Sequence, residues 1–244
     1  MKIDKVILSS NENKEYLDFW PLVAEAWKNL GIEPVLIYTG SKSLEIKGNV
    51  IKIKIPLVKS SFVAQNIRLL IPFMFPDDVC IISDIDNMPL SEKYFQNSIS
   101  QIEDNSFVIY RPNAASENMI SIMWNAAKGK IWSQIFGVKS LLGLKFKIFI
   151  WYFYFYKFYR YSWYTDQILL RKYVNKFKLK HPNTIIELND VETKFKRLDR
   201  ATLDEDINNF KANSIIFSDF HMPRPFDKYK KIIEEVYDKV FRAV

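Results

Sequence analysis

The chain has 244 residues, of which 48% are hydrophobic, 26% are charged and only six are glycine. That balance excludes a disordered or collagen-like chain and supplies enough apolar side chain for one large α/β domain. The formal net charge of +7 favours anionic partners such as nucleotides, phospholipid surfaces or nucleic acid, without choosing among them.

Residues 5–9 read as a first strand. The N-terminus has neither a long apolar h-region nor a small-residue cleavage site, so the expectation is a cytoplasmic protein. Residues 15–30 carry apolar side chains at helical spacing, stopped by Gly31. Strands are predicted at 34–39, closed by Gly40, and at 50–55, ended by Pro56. Residues 60–73 form an amphipathic helix, and 79–83 a buried strand. The single Cys80 lies in that apolar run, which excludes an intramolecular disulfide and predicts a buried structural thiol. Beyond it come a helix at 91–102, a strand at 106–110 and a short helix at 130–136. An aromatic, basic-edged segment fills 141–164. A helix at 166–174, a strand at 214–218 and a basic amphipathic helix at 227–241 complete the chain. Strands separated by helices imply βαβ units and a mostly parallel twisted sheet with helices on both faces. No repeat and no Gly/Ser linker interrupts residues 1–244, so one domain is predicted.

The sharpest chemical feature is the apolar strand running into Ser83-Asp84-Ile85-Asp86 and then a turn containing Pro89. In an extended segment the i, i+2 spacing points both carboxylates the same way. Two such neighbours repel each other unless a cation or a shared proton intervenes. Hard oxygen ligands beside substrate phosphates suit Mn²⁺ or Mg²⁺. Ligands of open parallel sheets bind outside the carboxyl ends of the strands, where this pair sits.

Ser83-Asp84-Ile85-Asp86 with its preceding strand resembles the DxD motif of GT-A glycosyltransferases. Three further segments fall in the same order as in glycogenin-like and lipopolysaccharide-galactosyltransferase-like enzymes, a layout shared by small viral and bacterial glycosyltransferases. Met123-Trp124-Asn125-Ala126-Ala127 is similar to the aromatic-Asn-Ala segment that lines their sugar pocket. Tyr164-Thr165-Asp166-Gln167 resembles their Asp-Gln pair. Phe217 to Phe226, containing His221 and Arg224, resembles their late His motif. Two departures stand out: Asn125 precedes Ala-Ala rather than Ala-Gly, and only two residues separate His221 from Arg224.

The resemblance implies a GT-A-like α/β domain that transfers a sugar from a nucleotide-diphosphate donor, with UDP favoured, to a glycan or glycolipid hydroxyl. It implies Asp84, Asp86 and His221 as metal ligands for Mn²⁺ or Mg²⁺. It places Ser9, Ser10, Asn11, Gln65, Arg68, Asp84, Asn125 and Arg224 around the donor. Asp166 is the candidate general base of an inverting mechanism, and Gln167 the residue beside the anomeric carbon of a retaining one. Both outcomes stay open.

The uncharged run 148–156 is too short to span a bilayer, which needs about 20 apolar residues. Trp and Tyr favour the headgroup layer, and Lys and Arg favour anionic lipid. The segment therefore fits either a peripheral contact with an anionic membrane surface, on the inner face, or a core helix. Aromatics interleaved with bases also stack on single-stranded nucleic acid, but no recognition motif accompanies these, which argues against it. A non-catalytic protein binding membrane or nucleic acid through this segment is the competing class. It leaves the two Asp, the Asp-Gln pair and the late His in family order unexplained.

Overall fold

The computed structural model describes residues 1–242. Among these residues ten strands are interspersed with helices: β1 (Lys5–Ser10), β2 (Glu33–Tyr38), β3 (Val50–Lys52), β4 (Val79–Ile82), β5 (Asn87–Pro89), β6 (Phe107–Tyr110), β7 (Asn125–Lys128), β8 (Ile185–Leu188), β9 (Lys196–Asp199) and β10 (Phe217–His221). Seven form one sheet in the order β3-β2-β1-β4-β7-β6-β8, parallel except for β7, which runs antiparallel to both neighbours. The other three form a small sheet, β5-β10-β9.

Alternation along the central strands explains why both faces of the large sheet are covered. In β1, Val6 and Leu8 enter one apolar core while Ile7 enters the other. In β4, Val79 and Ile81 face the first core and Cys80 and Ile82 the second. Cys80 is fully buried, and burial raises its thiol well above the usual range, as expected of a structural cysteine.

Several elements differ from the predicted bounds. The expected helix at 15–30 is two, Lys14–Leu17 and Trp20–Asn29; Asn13 caps the first by accepting from the Glu15 N–H. The helix starting at Ser60 ends at Ile67, and the next turn, Ile71–Met74, tightens to 3₁₀ around Pro72. The helix expected at 91–102 is reduced to Glu92–Phe95 and a 3₁₀ turn. The strand expected at 214–218 begins and ends three residues later, as β10. Gly129 is required where its helix starts: a Cβ there would collide with the carbonyl oxygens of Phe75 and Pro72.

Candidate active site

A cleft of about 300 Å³ opens beyond the carboxyl ends of β1 and β4. Seven of the residues expected to bind donor or metal share its wall: Ser9, Ser10, Asn11, Gln65, Arg68, Asp84 and Asp86. Tyr16 and Trp163 join them, and neither was identified from sequence. A larger depression, about 780 Å³, lies around Met1, Asp4 and Val79 at the opposite, amino ends of the same strands. It holds none of these residues, and open α/β sheets bind ligands at the other end.

The first-strand residues divide their work. Ser9 donates its hydroxyl to the Ala64 carbonyl at 2.5 Å, tying β1 to the helix Ser60–Ile67. Asn11, only half-buried, bonds Ser60 Oγ at 3.2 Å and keeps one edge at the cleft.

Arg68 and the acids around it form a buried ion cluster. One guanidinium nitrogen donates to the Ser83 carbonyl at 3.1 Å and to an Asp84 oxygen; the other lies 3.3 Å from Asp166 Oδ2. Gln65 donates to Asp166 Oδ1 at 3.3 Å and to the Trp163 carbonyl. Burial alone would pull Arg68 down, but Asp84 and Asp166 outweigh it and hold the guanidinium above its ordinary value. Burial likewise opposes ionisation of Asp84, and Arg68 reverses that, leaving the carboxyl below the usual range. Asp166 goes the other way. Burial dominates, Arg68 only partly offsets it, the Asp84 charge adds to it, and the carboxyl rises to about 7.

Asp166 is 1% exposed, so it stands behind Gln65 and Arg68 rather than at the cleft surface. Gln167 is half-buried. Its N–H donates to Asp166 Oδ1 at 2.9 Å, and neither member of the pair lines the cleft.

Asp86 is the meeting point of the second cluster. Its Oδ2 lies 3.0 Å from Arg200 Nη1, 3.5 Å from Arg224 Nε and 3.9 Å from His221 Nε2. Arg224 also stacks on Tyr16, 4.6 Å from the ring centre. His221 is oriented from behind by Asp199, whose Oδ2 is 3.2 Å from Nδ1. Arg200 and Asp199 were not identified from sequence. They reach the site only because β9 pairs with β10.

The expected three-ligand metal set is assembled only in part. Among the described residues no three His, Cys, Asp or Glu side chains come together to hold an ion. Asp86 and His221 face each other, but Asp84 is drawn aside by Arg68. The donor chemistry nevertheless suits a hard divalent cation: carboxylate oxygens at a strand end and an imidazole whose far nitrogen is occupied by a carboxylate.

Asn125 does not line the cleft. β7 is hydrogen-bonded between β4 and β6, where Asn125 pairs with Ile82 and Ile109. Its side chain is fully buried and donates to the carbonyls of Ser121 and Ile122 at 2.8 and 3.1 Å.

No family model and no curated protein sequence matches the chain. Solved structures do. The glycosyltransferase GlyE of Streptococcus pneumoniae TIGR4 superposes with a TM-score of 0.53 at 12% identity, over 99% of this chain and 63% of its own, so this chain spans less than two thirds of GlyE. The galactosyltransferase LgtC, solved with donor and acceptor sugar analogues, gives 0.52 at 12% identity over 97% of this chain and 96% of its own. A glycosyltransferase involved in glycosylating the major capsid of PBCV-1 gives 0.50 at 13% identity over 95% and 99%. Likenesses this complete show that the chain has the GT-A-like α/β fold of these structures.

Proposed function

We propose that this protein is a glycosyltransferase that binds a nucleotide-diphosphate sugar, with UDP favoured, in the cleft beyond the carboxyl ends of β1 and β4. It transfers the sugar to a hydroxyl of a glycan or glycolipid. One observation carries the reading: Asp86, just past β4 in the wall of the cleft that also holds Asn11 and Tyr16, is ringed by His221, Arg200 and Arg224. Paired strand-end carboxylates beside guanidinium groups suit a diphosphate bound with a cation. Asp86 and His221, with Asp84, would hold Mn²⁺ or Mg²⁺, which supplies charge neutralisation for a departing diphosphate.

The chain's own residues divide the remaining tasks. Arg200 and Arg224 bind phosphate oxygens that compete with Asp86 for them. Tyr16 and Asn11 orient the nucleoside end. Asp166, buried behind Arg68, is a positioning residue: it fixes Gln65 and Arg68 so that Asp84 keeps one orientation.

Calorimetric titration of UDP and UDP-hexoses into the protein, with Mn²⁺ and then with EDTA, tests the reading. The expected result is nucleotide binding that EDTA reverses. Absence of binding by any nucleoside diphosphate, with either cation, would overturn it.

A further inference from the structure

The aromatic segment splits between two environments. Residues Leu141–Ile150 form an α-helix that continues as a π-helix over Trp151–Phe158. Leu144, Ile148, Trp151 and Tyr152 are buried against the second core. The opposite face is uncovered: Leu142 is 78% exposed, Phe146 65% and Phe158 74%, with Phe149, Ile150 and Phe153 between them also exposed. Side chains of this size, in a continuous row, are not what a solvated helix face presents.

The charge around this face has one sign. From residue 139 to residue 165 the chain has five Lys or Arg and no Asp or Glu. Lys139, Lys157 and Arg160 are exposed, and among the described residues none of them pairs with a carboxylate. Lys147 turns inward to the Phe136 carbonyl and is not part of the surface. Tyr154 and Tyr159, joined through their hydroxyls at 3.2 Å, stand at the end of the apolar row beside Lys157 and Arg160. Apolar rings, an edge of tyrosines and unpaired cations in that order match the layers of a lipid–water interface. No described helix is long and apolar enough to cross a bilayer, so the contact lies along the surface.

We infer that the exposed face of 141–158, with Lys139, Lys157 and Arg160, is a docking surface for the anionic phospholipid headgroups of a bilayer. The surface leads to the cleft. Phe155 stacks on Tyr161 at 5.6 Å, and Trp163, two residues on, is in the cleft wall. A lipid-borne acceptor would thus meet the cleft at the membrane plane. That corollary rests on the transferase reading; the lipid contact itself does not.

The test is vesicle flotation at low salt, with phosphatidylcholine alone and with phosphatidylcholine containing phosphatidylglycerol, without nucleotide. The proteins are the parent, Lys157→Glu with Arg160→Glu, and Phe146→Ser with Phe158→Ser. Thermal melting checks that each is folded, and light scattering reports oligomeric state. The expected result is parent binding that prefers the anionic vesicles, falls with added salt and drops by at least about tenfold in the charge variant; the apolar variant also loses binding. Parent protein that ignores both vesicle types, or binds them equally at every salt concentration, overturns the inference. So does a parent dimer that the apolar variant dissociates, with no vesicle binding in either state. The parent salt series decides the matter even where a variant fails to fold.

Discussion

Asp199 and His221 sit directly opposite each other in the parallel pairing of β9 with β10, and Asp199 Oδ2 is 3.2 Å from His221 Nδ1. Hydrogen bonding to His221 holds the Asp199 carboxyl down to about 2, outweighing burial. An ionised carboxylate only accepts, so the shared proton belongs to Nδ1 and Nε2 is the free end turned toward Asp86. Substituting Asp199 by Asn keeps the shape and removes the charge. Asp199→Asn is expected to weaken Mn²⁺ binding by about 10–100-fold, read by titration calorimetry or electron paramagnetic resonance. Unchanged Mn²⁺ affinity in a folded variant would show that Asp199 does not orient His221 toward a cation.

Asp86 is the carboxylate that three positive or hydrogen-bonding groups converge on, so its loss acts on both the cation and the diphosphate. Asp86→Ala should abolish Mn²⁺-dependent UDP binding. It should leave weak, metal-independent binding through the released Arg200 and Arg224, because these guanidiniums lose their internal partner. The fold should persist, since Asp86 lies just past the end of β4 rather than within the sheet. UDP affinity equal to the parent's, with metal still required, would remove Asp86 from the site.

The parts of the site that were legible in the sequence are those carried by local pattern. Asp84 and Asp86 follow an apolar strand, and Ser9 to Asn11 end another; both signals lie within ten residues. Arg200 and Asp199 were not legible, because they meet Asp86 and His221 only through the pairing of β9 with β10, across 114 and 22 positions. The shifted bounds of β10 have the same origin. Asp219 breaks its apolar run, so the pattern reads as a strand ending before it. In the fold Asp219 is fully buried and neutralised by Arg111, 108 positions away, and by Arg197. Asn125 shows the converse: its motif was visible, but its burial follows from the antiparallel insertion of β7, which no local signal announces.

Asp166 makes stability pH-dependent. Its carboxyl is raised to about 7 in the folded chain, mainly by burial, against 3.8 when unperturbed. Between about pH 4 and pH 7 the folded state therefore keeps a proton that the unfolded state has released. Stability falls as pH rises through that window and levels off above it. Thermal melting is expected to show a decline from pH 5 to pH 7.5 in the parent and a shallower one in Asp166→Asn. Arg68→Met should cost about 3–5 kcal/mol at pH 8, where both Asp84 and Asp166 lose their cation, and less at pH 5. Identical slopes for parent and Asp166→Asn would assign the dependence elsewhere.

The position of His221 depends on a second buried cluster, centred on Asp219. Asp219, two residues before His221 on β10, is fully buried and receives Arg111 Nη1 at 2.8 Å and Arg197 Nε at 2.9 Å. Arg111 also donates to Ser218 Oγ and Asp190 Oδ2, both at 2.5 Å, and its guanidinium lies over the Tyr94 and Trp124 rings. Removing the central carboxylate leaves Arg197 without a counter-charge and Arg111 with Asp190 alone, around a side chain that is itself fully buried, a change that costs about 3–5 kcal/mol. Asp219→Ala should therefore lower the midpoint of urea unfolding with little change in slope. Asp219→Asn, which retains an acceptor for one arginine, should lose less. Because β10 carries His221, both variants should bind Mn²⁺ more weakly even under conditions where they remain folded. A loss below about 1 kcal/mol in Asp219→Ala would mean that β10 is held by its apolar residues Phe217 and Phe220, with Met222 just after it, alone.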